Sequence, residues 1–226
     1  MALDVLFEDN HVLVVNKPAG LLVHGDETGD TTLADLAKEY IKHKYNKPGN
    51  VFIGVVHRLD RPVSGVVLLA KTSKALSRLN ELFRSKKTQK TYWAVVQNKP
   101  KAEQGTLVHW LVKDSVRNVS KAYSKENNAG ARSELHYKML AANAGKYLLE
   151  VNPITGRPHQ IRVQLASMKC SIAGDLKYGA AQPLPDKSIA LHARQLIFEH
   201  PTLKTPVTVR AEPPEAPVWT PFRNLL

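Results

Sequence analysis

Residues 57–60 (His-Arg-Leu-Asp) place ionisable side chains just before the apolar run at residues 66–70. A carboxylate in such surroundings is half buried, and a half-buried aspartate needs a partner. The sequence therefore predicts one of two arrangements for Asp60. It forms a structural ion pair with Arg58 or Arg61, or it lies in a cleft as a chemically active group.

A second group of basic residues occupies residues 155–162 (TGRPHQIR). Pro158 suits the first turn of a helix. The backbone amides of that turn, together with Arg157 or Arg162, would form an anion site. Such a site would bind an RNA phosphate, or Arg162 would pair with Asp60 and keep it ionised. The alternative for Arg162 is a structural bridge.

Tyr92 is the third candidate. It lies in the run TYWAVV at residues 91–96, whose β-branched and aromatic residues predict a strand. Alternation along that strand places Tyr92 and Trp93 on opposite faces. The basic neighbours of Tyr92 favour a functional role, and ordinary core packing is the alternative.

The sequence excludes several other kinds of site. Cys170 is the single cysteine, so neither an intrachain disulfide nor a cysteine zinc site is possible. The nine histidines show no HExxH or paired carboxylate spacing. Ser64 lacks the glycine two places earlier that a nucleophile elbow requires, and no P-loop or GxGxxG occurs. We therefore expect no metal and no cofactor.

The charge of the chain points to a polyanionic partner. The formal net charge is +12, and the calculated isoelectric point is about 9.8. A cation excess of this size favours phosphate contacts with nucleic acid, although a basic but ordinary enzyme is the alternative. No apolar run reaches membrane-spanning length, and the start lacks the pattern of a signal peptide. With one cysteine, these features lead us to expect a cytoplasmic protein without membrane contact.

Apolar periodicity predicts the elements that must hold these side chains. Helical spacing after residues 31–32, two threonines, and after Ser73 predicts two helices capped by these residues, and a third helix follows Pro158. Residues 99–131 are polar, and we expect them to be the least ordered. Many strands with few helices predict an α+β fold with a mixed, mainly antiparallel sheet flanked by helices and loops. The predicted strands are residues 12–15, 66–70, 91–96, 133–140, 146–151, 189–198 and 207–211.

Several motifs together resemble the RluA-type pseudouridine synthase family. Residues 56–60 (VHRLD), followed by Ser64 and Gly65, resemble the family's HRLD-x-x-T-S-G signature. Further blocks occur in the family's order across nearly the whole chain. They are residues 14–23 (VVNKPAGLLV), 90–95 (KTYWAV), 155–162 (TGRPHQIR), 174–179 (GDLKYG) and 191–194 (LHAR).

This resemblance implies an enzyme that isomerises uridine to pseudouridine in ribosomal or transfer RNA, with no cofactor and a catalytic cleft across the sheet. Asp60 would be the catalytic aspartate, as nucleophile or as base at the ribose. Tyr92 would stack on the target base, and Arg162 would pair with Asp60 and fill the gap left by the flipped nucleotide. The substrate-binding residues that the motifs imply are His57, Arg58, Arg157, His159, Lys177 and Tyr178.

The sequence departs from the family pattern in two places. Val63 stands where the signature usually has threonine. We expect no counterpart of the small N-terminal RNA-binding domain that many relatives carry, and a single catalytic domain over residues 1–226 that selects its substrate partly through residues 99–131. A monomer is expected. The alternative function is a non-catalytic RNA-binding or ribosome-assembly protein. Loss of Asp60, Tyr92 or Arg162 would indicate it, and all three are present.

Overall fold

Strands and three α-helices make up about half of the chain in the computed structural model, which describes residues 3–25 and 29–225. In chain order the elements are β1 (Val5–Glu8), β2 (Val12–Lys17), α1 (Leu33–Lys44), β3 (Gly54–Val55), β4 (Ser64–Ala70), α2 (Ser73–Arg84), β5 (Gln89–Val96), β6 (Gln104–Asp114), β7 (Val119–Tyr123), β8 (Ala131–Asn143), β9 (Lys146–Pro153), α3 (Gln160–Ser167), β10 (Leu191–Glu199) and β11 (Pro206–Arg210). Short 3₁₀ helices lie at Leu176–Tyr178 and Thr220–Leu225.

These elements form two compact units. The first consists of Met1–Gln89 and Ala193–Pro213, and the second of Lys90–His192 and Pro214–Leu226. Each unit therefore contains two separate stretches of the chain.

The first unit is built on a sheet in which β1, β2, β4 and β10 are neighbours in that order. β2 pairs with β4 in antiparallel register, from Val12 opposite Ala70 to Lys17 opposite Gly65. All seven residues of β4 are buried, because both faces of this strand are covered. On one face, α2 and strands β10 and β11 complete a core that includes Val12, Val66, Leu68, Leu79, Leu196, Phe198 and Val209.

The two long helices of the first unit begin at threonines. Thr32 caps α1 as predicted, with its hydroxyl accepting from the Asp35 amide while the Asp35 carboxylate accepts from the Thr32 amide. This reciprocal pair is a capping box. The predicted cap of α2 was wrong by one residue. Thr72 is the cap, because its hydroxyl accepts from the Ala75 amide, and Ser73 is already helical.

The second unit contains a sheet with the order β5, β9, β8, β6 and β7, in which each pairing is antiparallel. α3 packs against this sheet, and the Gln164 side chain donates to the Leu107 carbonyl of β6 at 3.0 Å. The apolar residues buried in this unit include Leu111, Leu135, Leu148, Leu149, Val151, Ile161 and Leu165. The predicted α+β class with a mainly antiparallel sheet is confirmed.

Two predictions about the second unit were wrong. Residues 99–131 are not irregular, since they contain all of β6 and β7, which pair from Trp110 opposite Tyr123 to Asp114 opposite Val119. Polar residues recur there because strands with one solvated face carry them at alternate positions. Pro158 is not in the first turn of α3. The helix begins at Gln160, because His159 adopts a left-handed backbone with φ of 54°.

Among the residues that the structure describes, no helix is both long enough and apolar enough to cross a membrane.

Candidate functional site

The Asp60 carboxylate projects from a turn between β3 and β4. The Asp60 carbonyl accepts a hydrogen bond from the Val63 amide at 3.0 Å, which closes the turn around Arg61 and Pro62. Asp60 itself is partly exposed, whereas Val63 is buried. Asp60 is therefore partly accessible, at a turn whose far side is anchored in the core by Val63.

The buried side chain of Lys17 supports this turn through hydrogen bonds to backbone carbonyls. Lys17 is the last residue of β2, its side chain is 0% exposed, and its ammonium donates to the carbonyls of Pro18, Leu21 and Arg61 at 2.9, 2.8 and 3.3 Å. The Arg61 carbonyl also accepts from the Gly20 amide at 2.7 Å. We call these contacts the Lys17 staple. They join the turn after β2 to the residue that follows Asp60, so the backbone at Asp60 has little freedom.

The electrostatics of the Lys17 staple connect it to Asp60. Burial lowers the pKa of Lys17 from 10.5 to about 7, because water is excluded from the ammonium. The negative charge of Asp60 acts in the opposite direction and raises this pKa, while the positive charge of Arg61 lowers it. The Asp60 carboxylate is therefore near enough to interact with a buried cation whose charge state changes around neutral pH.

Gly65, near the start of β4 after the Asp60 turn, occupies a position that only glycine fits. Its φ is +115°, and a Cβ atom at this position would lie 2.4 Å from the Ala193 carbonyl oxygen. No side chain fits there, so glycine lets β4 leave the turn in close contact with residue 193. The contact at Gly65 thereby fixes the path of the backbone that leads from Asp60 into β4.

The other predicted residues of the first unit differ in exposure. The His57 ring stacks on Phe83 with centroids 4.8 Å apart, and its Nε2 accepts from the Leu68 amide at 3.0 Å. This imidazole extends the β3–β4 pairing, so it supports the fold behind the turn. Arg58 is exposed. Their predicted contacts with substrate stay predictions.

Arg162 forms a buried ion pair in the second unit. Its Nε and Nη2 donate to the two carboxylate oxygens of Asp175 at 2.7 and 2.8 Å. The side chains are 6% and 1% exposed. Such a bidentate pair fixes both the position and the plane of the guanidinium. The expected pairing of Arg162 with Asp60 stays a prediction, since the two residues belong to different units.

Tyr178 lies against the same guanidinium. The Arg162 Cζ atom is 5.1 Å from the centre of the Tyr178 ring, a cation–π distance. The Tyr178 hydroxyl accepts from the Ser120 amide at 2.7 Å and bonds with His159 Nδ1 at 2.8 Å. Burial raises the pKa of Tyr178, so the phenol keeps its proton for a hydrogen bond. The structure thus brings together three predicted residues, Arg162, Tyr178 and His159.

The loop before α3 is closed by the Gln160 side chain. Its Oε1 accepts from the Arg157 amide at 3.0 Å and from the Thr155 hydroxyl at 2.7 Å, and its Nε2 donates to the Glu134 carbonyl. The Arg157 amide is therefore already used. The expectation that this amide helps to form an anion site was wrong at this position, although the Arg157 side chain is exposed.

Tyr92 and Lys177 complete the predicted set. Tyr92 lies on β5 opposite Val151 and is partly exposed. Lys177 is exposed and donates to the Asn118 carbonyl at 3.0 Å, in the loop between β6 and β7. A loop that was expected to be irregular therefore contacts one of the predicted binding residues.

Sequence reasoning missed three residues that shape these clusters, namely Lys17, Ser120 and Asp175. Two of them carried a signal. Lys17 is a charged residue directly after an apolar strand, and Asp175 is a carboxylate in a loop bounded by glycines. Ser120 gave no signal, because its partners lie 38 and 58 residues away.

The described part of the chain contains no group of three or more histidine, cysteine, aspartate or glutamate residues that could hold a metal ion. The clusters above consist of carboxylate, hydrogen-bonding, cationic and aromatic side chains. They are suited to acid–base or nucleophilic chemistry by a carboxylate and to binding an anionic or aromatic ligand.

Comparison with known proteins gives consistent results. A family model described as RNA pseudouridylate synthase matches residues 11–167. The RNA pseudouridine synthase YhcT of Bacillus subtilis, itself described as uncharacterized, is 36% identical over 99% of this chain and 71% of its own length. Ribosomal large subunit pseudouridine synthase D of Zymomonas mobilis is 35% identical over 94% of this chain and 70% of its own length.

Solved structures resemble the chain as well. Human RNA pseudouridylate synthase domain containing 4 superposes with a TM-score of 0.78 at 27% identity, covering 94% of this chain and 89% of its own. Human RNA pseudouridylate synthase domain containing 1 gives a TM-score of 0.74 at 24% identity over 95% and 85%, which shows a shared fold.

Proposed function

Because the chain belongs to the RNA pseudouridylate synthase family, we propose that it isomerises specific uridines of large-subunit ribosomal RNA to pseudouridine. The names of relatives that match over nearly the whole chain support this choice of RNA over transfer RNA. The formal net charge of +12 suits a polyanionic substrate.

The reaction rearranges one nucleotide without adding atoms. The bond between uracil N1 and ribose C1′ breaks, the uracil turns, and a new bond joins C5 to C1′. One proton leaves C5 and one is taken up at N1, so no co-substrate is consumed. In this proposal Asp60 acts at the ribose, as nucleophile or as base. Tyr92 stacks on the base and helps to remove the C5 proton.

The observation that carries this assignment is the Lys17 staple. A wholly buried ammonium binds the carbonyl of Arg61, the residue after Asp60, and interacts with the Asp60 charge. A reacting carboxylate must be held within a few tenths of an ångström of its target, because small displacements lower the rate steeply. The staple supplies that restraint from the backbone side.

Substrate binding involves a flipped nucleotide. Taking a base out of its stack costs a few kcal/mol, and stacking on an aromatic side chain returns about 1–3 kcal/mol. In this proposal Arg162 lies beside the flipped nucleotide, and the exposed cations Arg58, Arg157 and Lys177 contact phosphates. Affinity should therefore fall steeply with salt concentration.

We extend the proposal to the organisation of the protein. The family match includes residues of both units, which supports one catalytic domain over residues 1–226. We propose a monomer that works in the cytoplasm, where the thiol of Cys170 stays reduced. The loop between β6 and β7 contributes to substrate choice through its contact with Lys177.

Tritium release from RNA labelled at uracil C5 tests the reaction directly. Unmodified large-subunit ribosomal RNA and transfer RNA are tested separately, with wild type, Asp60→Asn and the exposed-carboxylate control Asp186→Asn. We expect release from ribosomal RNA by wild type and the control, and a loss of at least about 10⁴-fold in Asp60→Asn, the order seen when a reacting group is removed.

Three other outcomes of the tritium-release experiment would change the proposal. Release from transfer RNA alone would change the substrate class. Substantial release by Asp60→Asn would remove Asp60 from the chemistry. Tight, salt-sensitive binding with no release by wild type would favour the second candidate, a non-catalytic RNA-binding protein on the same fold.

A further inference from the structure

Asp175 is a buried carboxylate that the proposed reaction does not yet use. Its side chain is 1% exposed, and both of its oxygens accept hydrogen bonds from Arg162. A carboxylate buried without a partner costs several kcal/mol, so Asp175 persists in this position only together with the guanidinium.

The geometry of the ion pair fixes the orientation of the Arg162 guanidinium. The bonds to Asp175 use Nε and Nη2, which lie along one edge of the planar guanidinium. Three N–H bonds remain, two on Nη1 and one on Nη2, and they point away from Asp175 in the same plane. Fixing the Nε–Nη2 edge at 2.7 and 2.8 Å therefore fixes where these remaining donors are directed.

The face of the guanidinium is restrained as well. The Tyr178 ring lies 5.1 Å from Arg162 Cζ and limits tilting of the plane. Tyr178 is itself held at its hydroxyl by the Ser120 amide and by His159. Arg162 is thus restrained along one edge and on one face by side chains that are fixed in turn.

We propose that Asp175 is a positioning residue for pseudouridine formation. By holding the Nε–Nη2 edge of Arg162, it directs the remaining N–H donors of the guanidinium at the nucleotide that is being isomerised. The inference rests on the proposed function, because it assigns Asp175 an effect that is exerted through Arg162. It predicts that the charge of Asp175 affects the rate of the reaction far more than the affinity for RNA.

A purely structural ion pair would behave differently. It would change the stability of the protein, and RNA affinity and rate would then fall together as the folded fraction falls. A positioning role separates the two quantities, because a misdirected guanidinium still attracts phosphate but no longer occupies its place beside the flipped nucleotide. The dissociation constant and the single-turnover rate are therefore the informative pair.

The experiment compares wild type, Asp175→Asn, Asp175→Glu and the control Asp186→Asn. Asp186 is an exposed carboxylate of the same unit that caps Ser188, and the control makes the same chemical change. Single-turnover tritium release, RNA dissociation constants and thermal unfolding are measured on each. In Asp175→Asn we expect the rate to fall about 100-fold, the effect of an ångström-scale misplacement. The RNA dissociation constant should change little.

Asp175→Glu provides rescue by a conservative variant. It keeps the negative charge and moves it by one methylene, so its rate should lie between those of wild type and Asp175→Asn. If Asp175→Asn does not fold, the ratio of rate to affinity in the folded Glu variant decides the question. Equal losses in rate and affinity, or no loss of rate, would overturn the proposal.

Added guanidinium ion gives an independent readout. In Arg162→Ala, the free ion should bind beside Asp175 and restore a measurable part of the rate. In the double variant Arg162→Ala/Asp175→Asn, that rescue should disappear. Equal rescue in both variants would show that Asp175 does not position the guanidinium. The proposed function fails only if wild type releases no tritium from any RNA, which keeps the two failures distinct.

Discussion

The cations of Lys17 and Arg162 are both buried, yet the protein neutralises them in different ways. Lys17 is surrounded by three backbone carbonyls, whereas Arg162 is paired with the full charge of Asp175. Carbonyl dipoles offset burial incompletely, and the pKa of Lys17 falls to about 7. A guanidinium cannot lose its proton in this pH range. The first region therefore holds Asp60 with a titratable group, and the second holds its arginine with a permanent ion pair.

The comparison has a consequence for substitution. An ion pair can be exchanged for two apolar side chains of similar volume, because removing both charges also removes the cost of burying them. Backbone carbonyls cannot be removed by mutation, so loss of Lys17 always leaves acceptors without their donor. The two regions should respond differently to the same kind of change.

The largest expected effect concerns the ion pair. Arg162→Met and Asp175→Leu, each alone, should lower the free energy of unfolding by about 3–5 kcal/mol, because an unpaired buried charge remains. The double variant should return to within about 1 kcal/mol of wild type, since neither charge is left. Urea unfolding measures all three. Activity should stay lost in the double variant, and additive losses of stability would show that the two side chains do not stabilise the protein mainly through each other.

The next effect tests the backbone at the Asp60 turn. Gly65→Ala should lower the free energy of unfolding by roughly 3 kcal/mol, from the left-handed backbone and from the collision with the Ala193 carbonyl. Gly20→Ala is the matched control, because Gly20 also has a positive φ but open space around its Cβ. It should cost roughly 1 kcal/mol. Equal costs would show that the contact at residue 193 can relax.

The pH dependence of the free energy of unfolding distinguishes Lys17, which can lose its proton near neutral pH, from Arg162, which cannot. Because the pKa of Lys17 in the folded state is about 7 and its unfolded value is 10.5, the unfolded chain binds more protons between these values. The free energy of unfolding should therefore rise with pH across this window, by up to about 1.4 kcal/mol per pH unit from this group. Below pH 7 both states are protonated and the contribution becomes constant.

Lys17→Met should remove that part of the slope when urea unfolding is repeated from pH 6.5 to 10.5. Lys44→Met is the control, because the hydrogen bond with Glu8 raises the pKa of Lys44 and moves its titration above this window. If Lys17→Met and wild type show the same slope, the carbonyls of the staple keep Lys17 charged throughout.

The smallest effect tests the hairpin of β6 and β7. Ser120→Ala removes the hydrogen bond from the serine hydroxyl to the Pro158 carbonyl at 2.8 Å but keeps the amide bond to Tyr178. It should lower the free energy of unfolding by about 1 kcal/mol. Ser188→Ala, which affects only a local exposed turn, should cost less. A loss of several kcal/mol at Ser120 would mean that the hairpin, as well as Asp175, determines the geometry around Arg162.

Much of the fold follows from local patterns. The run at residues 66–70 and the alternation around Tyr92 correspond to β4 and β5, and the helical stripes after Thr32 and Thr72 correspond to α1 and α2. These elements were predictable because burial on one face or both leaves a period in the sequence. β6 and β7 were missed because their exposed positions include glutamine, threonine and lysine, and the loops around them are polar, which hides the period.

Motifs in the sequence led to the choice of Asp60, Arg162 and Tyr178 as site residues, and their roles stay predictions. Their contacts were harder to predict. The bidentate contact between Arg162 and Asp175 was not, since an arginine can reach any carboxylate that the fold brings near. The role of Gln160 was also missed, because its side chain closes a loop that appeared to offer open amides.

By itself, the sequence determined the class of fold, the elements with a clear apolar period and the family to which the chain belongs, because these depend on apolar periodicity and on motifs that are contiguous in the chain. Only the tertiary structure decided which charges are buried and what neutralises them. Lys17 meets the Arg61 carbonyl 44 residues away, and Tyr178 meets the Ser120 amide 58 residues away. The cost of burying a charge depends on the groups around it in space, and separation along the chain does not define those groups.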